Sequence, residues 1–134
     1  MFKKISIESK LSNLSIVENM IDTITQEAGI NKDNYGKIMV STMEAVNNAI
    51  IHGNKSDSKK LVEIEILLIA NNIHITIKDQ GKGFVPEKVP DPTNPENIEL
   101  INGRGVFLMK MLADEIEFNK EGNRVKMTFK NIIS

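Results

Sequence analysis

The sequence predicts an α+β fold: a two-layer sandwich with a mixed or antiparallel sheet and three helices on one face. Three observations carry that prediction. Short apolar runs pair off as hairpins, Leu61–Ile69 with Ile73–Lys78 and Glu115–Phe118 with Arg124–Phe129. Longer runs carry apolar residues at helical spacing. The resulting order is β-α-α-β-β-loop-α-β-β, with no internal repeat, and its 134 residues suit a single domain, 1–134.

In chain order, Phe2 to Glu8 alternates apolar and polar residues and reads as a strand. Ser9 to Ser12 supplies turn and capping residues. Leu14, Val17, Met20, Ile21 and Ile24 then recur at helical spacing up to Gly29, a helix stop. Asn31 or Asp33 can cap the next helix, which runs to about His52. On it, Met39, Met43, Val46 and Ile50 form an apolar stripe spaced for a core, and Glu44 is the only charge between Val40 and Ile51. A helix apolar around most of its girth is expected to be largely buried. Lys55 to Lys60 reads as a polar loop, and Ala70-Asn71-Asn72 as a tight turn. Ile73, Ile75 and Ile77 face one way; His74, Thr76 and Lys78 face the other. Asp79-Gln80-Gly81-Lys82-Gly83-Phe84 comes directly after them. Pro86 to Asn102 holds all four prolines and reads as a long loop, of a length that is usually functional or disordered. Gly103-Arg104-Gly105 opens a short helix, Val106 to Leu112, and the last hairpin turns around Glu121-Gly122-Asn123.

Composition narrows the function classes. A net charge of −1, from 17 basic and 18 acidic residues, gives no basic bias toward nucleic acid or a membrane surface. The absence of cysteine removes disulfides, thiolate metal sites and cysteine nucleophiles. No stretch is long enough to span a bilayer, and Met1 to Ser6 has no apolar signal region, so a cytoplasmic protein is expected. Seven methionines suggest an adaptable core or contact surface.

Three constellations can carry chemistry. Glu44 and Asn48, four apart, share one helix face a turn apart. An amide oxygen suits Mg²⁺, which takes few protein ligands, and a carboxylate beside it can accept a proton. Taken alone, the pair also fits a plainer reading, with Asn48 capping backbone and Glu44 pairing with a lysine. Asp79 stands at a strand end, where a carboxylate can accept a hydrogen bond from an exocyclic amine such as that of adenine. Gly81 and Gly83 permit close backbone approach, although a surface turn would use the same residues. Gly103, Arg104 and Gly105 precede a helix whose free N–H groups suit phosphate; a hinge is the alternative. Neither a P-loop nor a dinucleotide fingerprint occurs. His52 and His74 lack a neighbouring ligand in sequence and read as structural.

The order of these motifs resembles the GHKL ATPase superfamily, which includes gyrase, histidine kinases and MutL and shares the Bergerat ATP-binding sandwich. Glu44 to Asn48 looks like its N box, Asp79, Gly81 and Gly83 its G1 box, and Gly103 with Gly105 its G2 box. The sequence is most similar to anti-sigma-factor serine kinases of the RsbW and SpoIIAB type. The stretch Glu44-Ala45-Val46-Asn47-Asn48-Ala49-Ile50-Ile51-His52-Gly53 carries that similarity, together with Gly103 to Met109 and Leu112 to Glu115.

The resemblance implies ATP and Mg²⁺ as cofactors. Asn48 would hold the metal, and Glu44 would take the proton of a substrate serine. Asp79 would bind the adenine amine, with Gly81 and Gly83 lining that pocket. Gly103, Arg104 and Gly105 would touch phosphates, and Pro86 to Asn102 would be the lid. It further implies a homodimer whose partners are a sigma factor and a STAS-type anti-anti-sigma protein, the substrate of phosphorylation. No phosphoacceptor-histidine helix precedes the ATPase motifs, which argues against a complete histidine kinase. One departure stands out: the family usually has a Gly-Thr pair near the last hairpin, where this sequence has Gly122-Asn123-Arg124. Two other readings remain open at this point, a nucleotide-gated binding module without catalysis and an adaptor that binds no nucleotide.

Overall fold

The computed structural model describes residues 1–81 and 101–133, with the side chains of 101–104 excepted. Strand β1 (Phe2–Glu8) leads through a short 3-10 turn (Leu11–Asn13) into α1 (Leu14–Ala28). Gly29 ends α1 in the left-handed region at φ 74°, where a side chain would be strained. Asn31 caps α2 (Lys32–Asn48): its Oδ1 accepts from the Asn34 N–H at 2.9 Å. A π-helical turn, Ala49–Gly53, continues α2. Then come β2 (Leu61–Ile69), β3 (Asn72–Lys78), α3 (Ile101–Leu112), β4 (Glu115–Phe118) and β5 (Arg124–Phe129).

The five strands form one sheet in the order β1-β2-β3-β5-β4, and every pairing is antiparallel. Of the mixed and antiparallel sheets anticipated, it is the antiparallel one. Register aligns the apolar positions across the whole sheet. Ile5 opposes Ile64, Ile64 opposes Ile77, Ile77 opposes Val125 and Val125 opposes Phe118. Because side chains alternate along a strand, this row and the parallel row Ile66–Ile75–Met127–Ile116 face the helices together. Ile64, Ile66, Ile75, Ile77 and Met127 are buried against Val17, Ile21 and Ile24 of α1, Val46 and Ile50 of the α2 segment and Met109 of α3, in one core. Each fully buried isoleucine contributes about 1.5–3 kcal/mol. The opposite sheet face is charged, with Lys4 bridging Glu65 at 3.5 Å and Glu63 at 3.9 Å.

Two expectations need correction. Of the stripe expected on α2, Val46 and Ile50 are fully buried, while Met39 and Met43 pack at the margin of the core. Met39 and Met43 are only partly buried and Val40 is 43% exposed, while Ile38, Ser41, Thr42, Ala45 and Val46 face inward. The helix expected at Val106 begins at Ile101. The last two residues of the expected loop, Ile101 and Asn102, are therefore helical. Gly103-Arg104-Gly105 lies within the first turns of α3 and not ahead of it. The remainder of that loop, Pro86 to Leu100, lies outside the described residues.

Candidate functional site

The residues singled out on α2 and β3 come together where the C-terminal end of α2 meets the exit of β3. Glu44 and Asn48 lie one turn apart on α2, both partly buried. Gly105 of α3 packs directly on them. A Cβ on Gly105 would stand 2.7 Å from Asn48 Nδ2 and 3.2 Å from both Asn48 Oδ1 and Glu44 Oε2. Only a glycine lets the α3 backbone approach this closely. Asn48 Oδ1 is buried with no hydrogen-bond partner among the described residues. A buried carbonyl oxygen in that state costs free energy unless a donor or cation reaches it. The donor chemistry fits Mg²⁺, which needs only one or two protein oxygens alongside phosphate and water oxygens. A cage built by the protein alone is not available, since no group of three or more His, Asp or Glu suited to a metal ion occurs among the described residues.

Asp79 is 8% exposed. Its backbone N–H donates to Asn123 O at 2.9 Å, and its Oδ1 accepts from the Gly81 N–H at 2.8 Å. Burial pushes the carboxyl above its usual range, with the Gly81 N–H and the Lys60 charge pulling the other way. Gly53, at the end of the π-helical turn, seats this carboxylate: a Cβ there would fall 2.3 Å from Asp79 Oδ2. Gly81 is equally confined, because a Cβ on it would fall 1.9 Å from Gly53 O. The two glycines let the α2 end, the Asp79 turn and the carboxylate occupy one small volume. Such a carboxylate can accept a hydrogen bond from an amine.

Beside Asn48 lies a cavity of about 30 Å³, lined by Ala45, Asn48, Ala49, Ile77, Met109 and Asn123 among others. That is well short of the roughly 300 Å³ at which small-molecule pockets begin. Gly83 lies outside the described residues, as does the side chain of Arg104, and Gly103 is placed only as part of α3.

Three further polar residues named from the sequence can be placed. Asn123, where a Gly-Thr pair was expected, is tied into the Asp79 turn. Its backbone oxygen holds Asp79, and its Nδ2 donates to Gly81 O at 3.4 Å. Asn119 holds Asn123 in turn, with Nδ2 donating to Asn123 Oδ1 at 2.6 Å and Oδ1 accepting from the Asn123 N–H at 3.0 Å. His52 has a buried Nε2 with no partner among the described residues, and burial and Lys55 hold its imidazole below the usual value. His74 is held in the sheet by Thr128, Nδ1 to Oγ1 2.9 Å. The Asn123 contacts have a signal in sequence, a polar residue replacing another at a turn; those of His52 have none.

Known proteins resemble this chain to differing degrees. The anti-sigma F factor of Anoxybacillus flavithermus is 33% identical over 93 residues, 68% of this chain and 64% of the relative. That of Clostridium perfringens strain SM101 is 36% identical over 89 residues, 65% of this chain and 64% of the relative. The chain thus spans slightly under two thirds of the length of these relatives. The serine-protein kinase RsbW of Oceanobacillus iheyensis is 23% identical over 124 residues, 88% of this chain and 78% of the relative. A solved structure of RsbU and RsbW domains from Mycobacterium tuberculosis superposes with a TM-score of 0.71 at 16% identity, covering 97% of this chain and 32% of that one. This superposition shows the α+β fold to be shared. The sequence pattern of the histidine kinase-like ATPase domain matches residues 7–129, and the chain belongs to that family.

Proposed function

We propose that this protein is an ATP-dependent protein serine/threonine kinase and anti-sigma factor. In this reading it phosphorylates a STAS-type anti-anti-sigma protein, sequesters a sigma factor and works as a homodimer. The single observation behind it is the pairing of Glu44 with an unpartnered, buried Asn48 Oδ1 one turn along α2. The names of the relatives, anti-sigma F factor and serine-protein kinase RsbW, point the same way.

Each residue has a distinct task. Asp79 accepts the exocyclic amine of adenine, with Gly81 and Gly83 leaving room for the base. Asn48 offers its Oδ1 to Mg²⁺, whose charge, when bound, offsets that of the phosphates. Gly103, Arg104 and Gly105 present backbone and a cation to those phosphates from α3. Glu44 accepts the proton of the substrate serine as its Oγ bonds to the γ-phosphorus and ADP departs. Phosphoryl transfer asks for this combination of positioning, charge neutralisation and one proton acceptor. The test is incubation with a STAS-domain partner, labelled ATP and Mg²⁺. Label appears on a partner serine with wild type and falls steeply with Glu44→Gln. No transfer to any partner from wild type overturns the kinase assignment.

One observation favours a second reading, a nucleotide-gated binding module without transfer. Gly105 rests on Glu44 and Asn48, and the cavity beneath α3 holds only about 30 Å³. If nucleotide entry displaces α3, partner affinity changes with that displacement. Nucleotide-dependent partner binding with no serine phosphorylation would select this reading.

A further inference from the structure

Asn54 belongs to none of the motifs, yet it is wholly buried at 0% exposure. A buried carboxamide is tolerated only when its hydrogen-bonding capacity is met. Here Oδ1 accepts from the Gln80 N–H at 2.7 Å, and Nδ2 donates to Ser9 Oγ at 2.8 Å and to Leu61 O at 3.0 Å. Ser9 is itself buried, and its hydroxyl donates to Lys60 O at 2.8 Å. The side chain thus joins the exit of β1, the entry of β2 and the exit of β3.

The bond to Gln80 matters because of its neighbours on either side. Gln80 is the residue after Asp79, so Asn54 holds the peptide group immediately beyond Asp79. Asn123 O holds the Asp79 N–H, the group immediately before it, at 2.9 Å. The Asp79 backbone is therefore fixed from both sides, once by the β5 hairpin and once by Asn54. Gly53, next to Asn54, lies against the carboxylate itself. The π-helical turn brings both residues to the spot: the Asn54 N–H bonds back five residues to Ala49 O at 2.8 Å. This wider turn displaces Gly53 and Asn54 from the path of a continued α-helix, a device found repeatedly at functional sites.

We propose that Asn54 is the positioning residue that aims the Asp79 carboxylate, and so sets the preference of this site for purine nucleotides bearing a 6-amino group. The inference rests on the nucleotide-binding reading above. A carboxylate that must meet one amine is sensitive to small displacements of its support. Contacts to ribose and phosphate are not. Losing the Asn54 bond therefore weakens recognition of the amine selectively.

The experiment compares Mg²⁺-dependent binding of ATP and of purine riboside triphosphate, which lacks the 6-amino group. Wild type binds ATP more tightly. In Asn54→Ala the ATP affinity falls about tenfold, the analogue affinity stays within about twofold, and the preference collapses, as expected for one lost hydrogen bond to a buried group. Ser9→Ala removes one of the two acceptors of Asn54 Nδ2 and lowers the preference two- to threefold on the same scale of about 1 kcal/mol or less. That milder variant decides the matter if Asn54→Ala does not fold. A wild-type preference that survives unchanged in the folded variants overturns the role of Asn54 alone. Equal binding of both nucleotides by wild type overturns it together with amine recognition by Asp79. Binding of neither overturns the nucleotide reading and this inference with it.

Discussion

The two ends of the candidate site differ in how they are built. At the Asp79 end, backbone and side chains lock together: Asn123, Gly81 and Asn54 supply hydrogen bonds, and Gly53 supplies the space. At the Asn48 end, a buried amide oxygen has no partner among the described residues, and contact with α3 depends on a glycine backbone. The first end is preorganised by the sheet, so little ordering remains for a ligand to impose. The second end is left incomplete by the protein, and a ligand completes it. Base selectivity and metal dependence should therefore separate when the two ends are mutated.

The largest effect tests the chemistry at the incomplete end. Glu44→Gln should lower the rate of serine phosphorylation by roughly 10²–10⁴, the usual range for losing a positioned proton acceptor. ATP affinity should stay within about threefold, because the amide is nearly isosteric. Equal losses in affinity and rate would assign Glu44 to binding.

Next comes the preorganised end. Asp79→Asn should weaken ATP binding roughly 10- to 100-fold, as for a hydrogen bond to a charged group worth about 1.5–3 kcal/mol. The same substitution should have the opposite effect on the ligand-free protein. Burial raises the Asp79 carboxyl in the folded state, so folded protein holds the proton more tightly than unfolded chain. Wild-type stability then contains a contribution present at low pH and lost as pH rises from the unfolded value near 3.9 through the raised folded one. Asp79→Asn should therefore gain stability relative to wild type as pH rises above the unfolded value, read by urea denaturation at each pH. A difference that is flat with pH would rule out this cost of burial.

Gly53→Ala asks whether the packing at that end is as tight as it looks. A methyl group 2.3 Å from the Asp79 carboxylate must displace it. A loss of about 1–3 kcal/mol in unfolding free energy is expected, with ATP affinity falling alongside. Wild-type melting and wild-type affinity would show that the turn yields freely.

The smallest effect returns to Asn48. Asn48→Ala removes a buried amide oxygen with no partner among the described residues, so the ligand-free protein should melt at or slightly above the wild-type temperature. The extra stabilisation that Mg²⁺ adds to ATP in a thermal shift should be lost, with about a tenfold drop in affinity, or roughly 1.4 kcal/mol. Retention of the Mg²⁺ increment would place the metal on other ligands.

Much of this molecule is legible residue by residue. The isoleucine alternation of β2 and β3 marks the sheet, because only a period of two sends Ile73, Ile75 and Ile77 to one face. Gly29 ends α1 and Asn31 starts α2 for local reasons of backbone conformation and capping. Glu44 and Asn48 are visible because a helix makes neighbours of residues four apart. The sequence alone misjudges the burial of Met39 and Met43, since apolar character says nothing about which of two apolar stripes meets the sheet. It also places the start of α3 too late, since two glycines weaken a helix without preventing one that packing sustains.

Sequence by itself therefore determined the elements, a sheet either mixed or antiparallel, and the residue types that a nucleotide site requires. All of these arise from local periodicity and chemistry. Tertiary structure alone decided that Gly53 seats Asp79, that Asn54 reaches Gln80 across 26 residues, and that Gly105 lies on Asn48. These contacts join segments distant in the chain, and a glycine or asparagine carries no mark of the partner that folding brings to it.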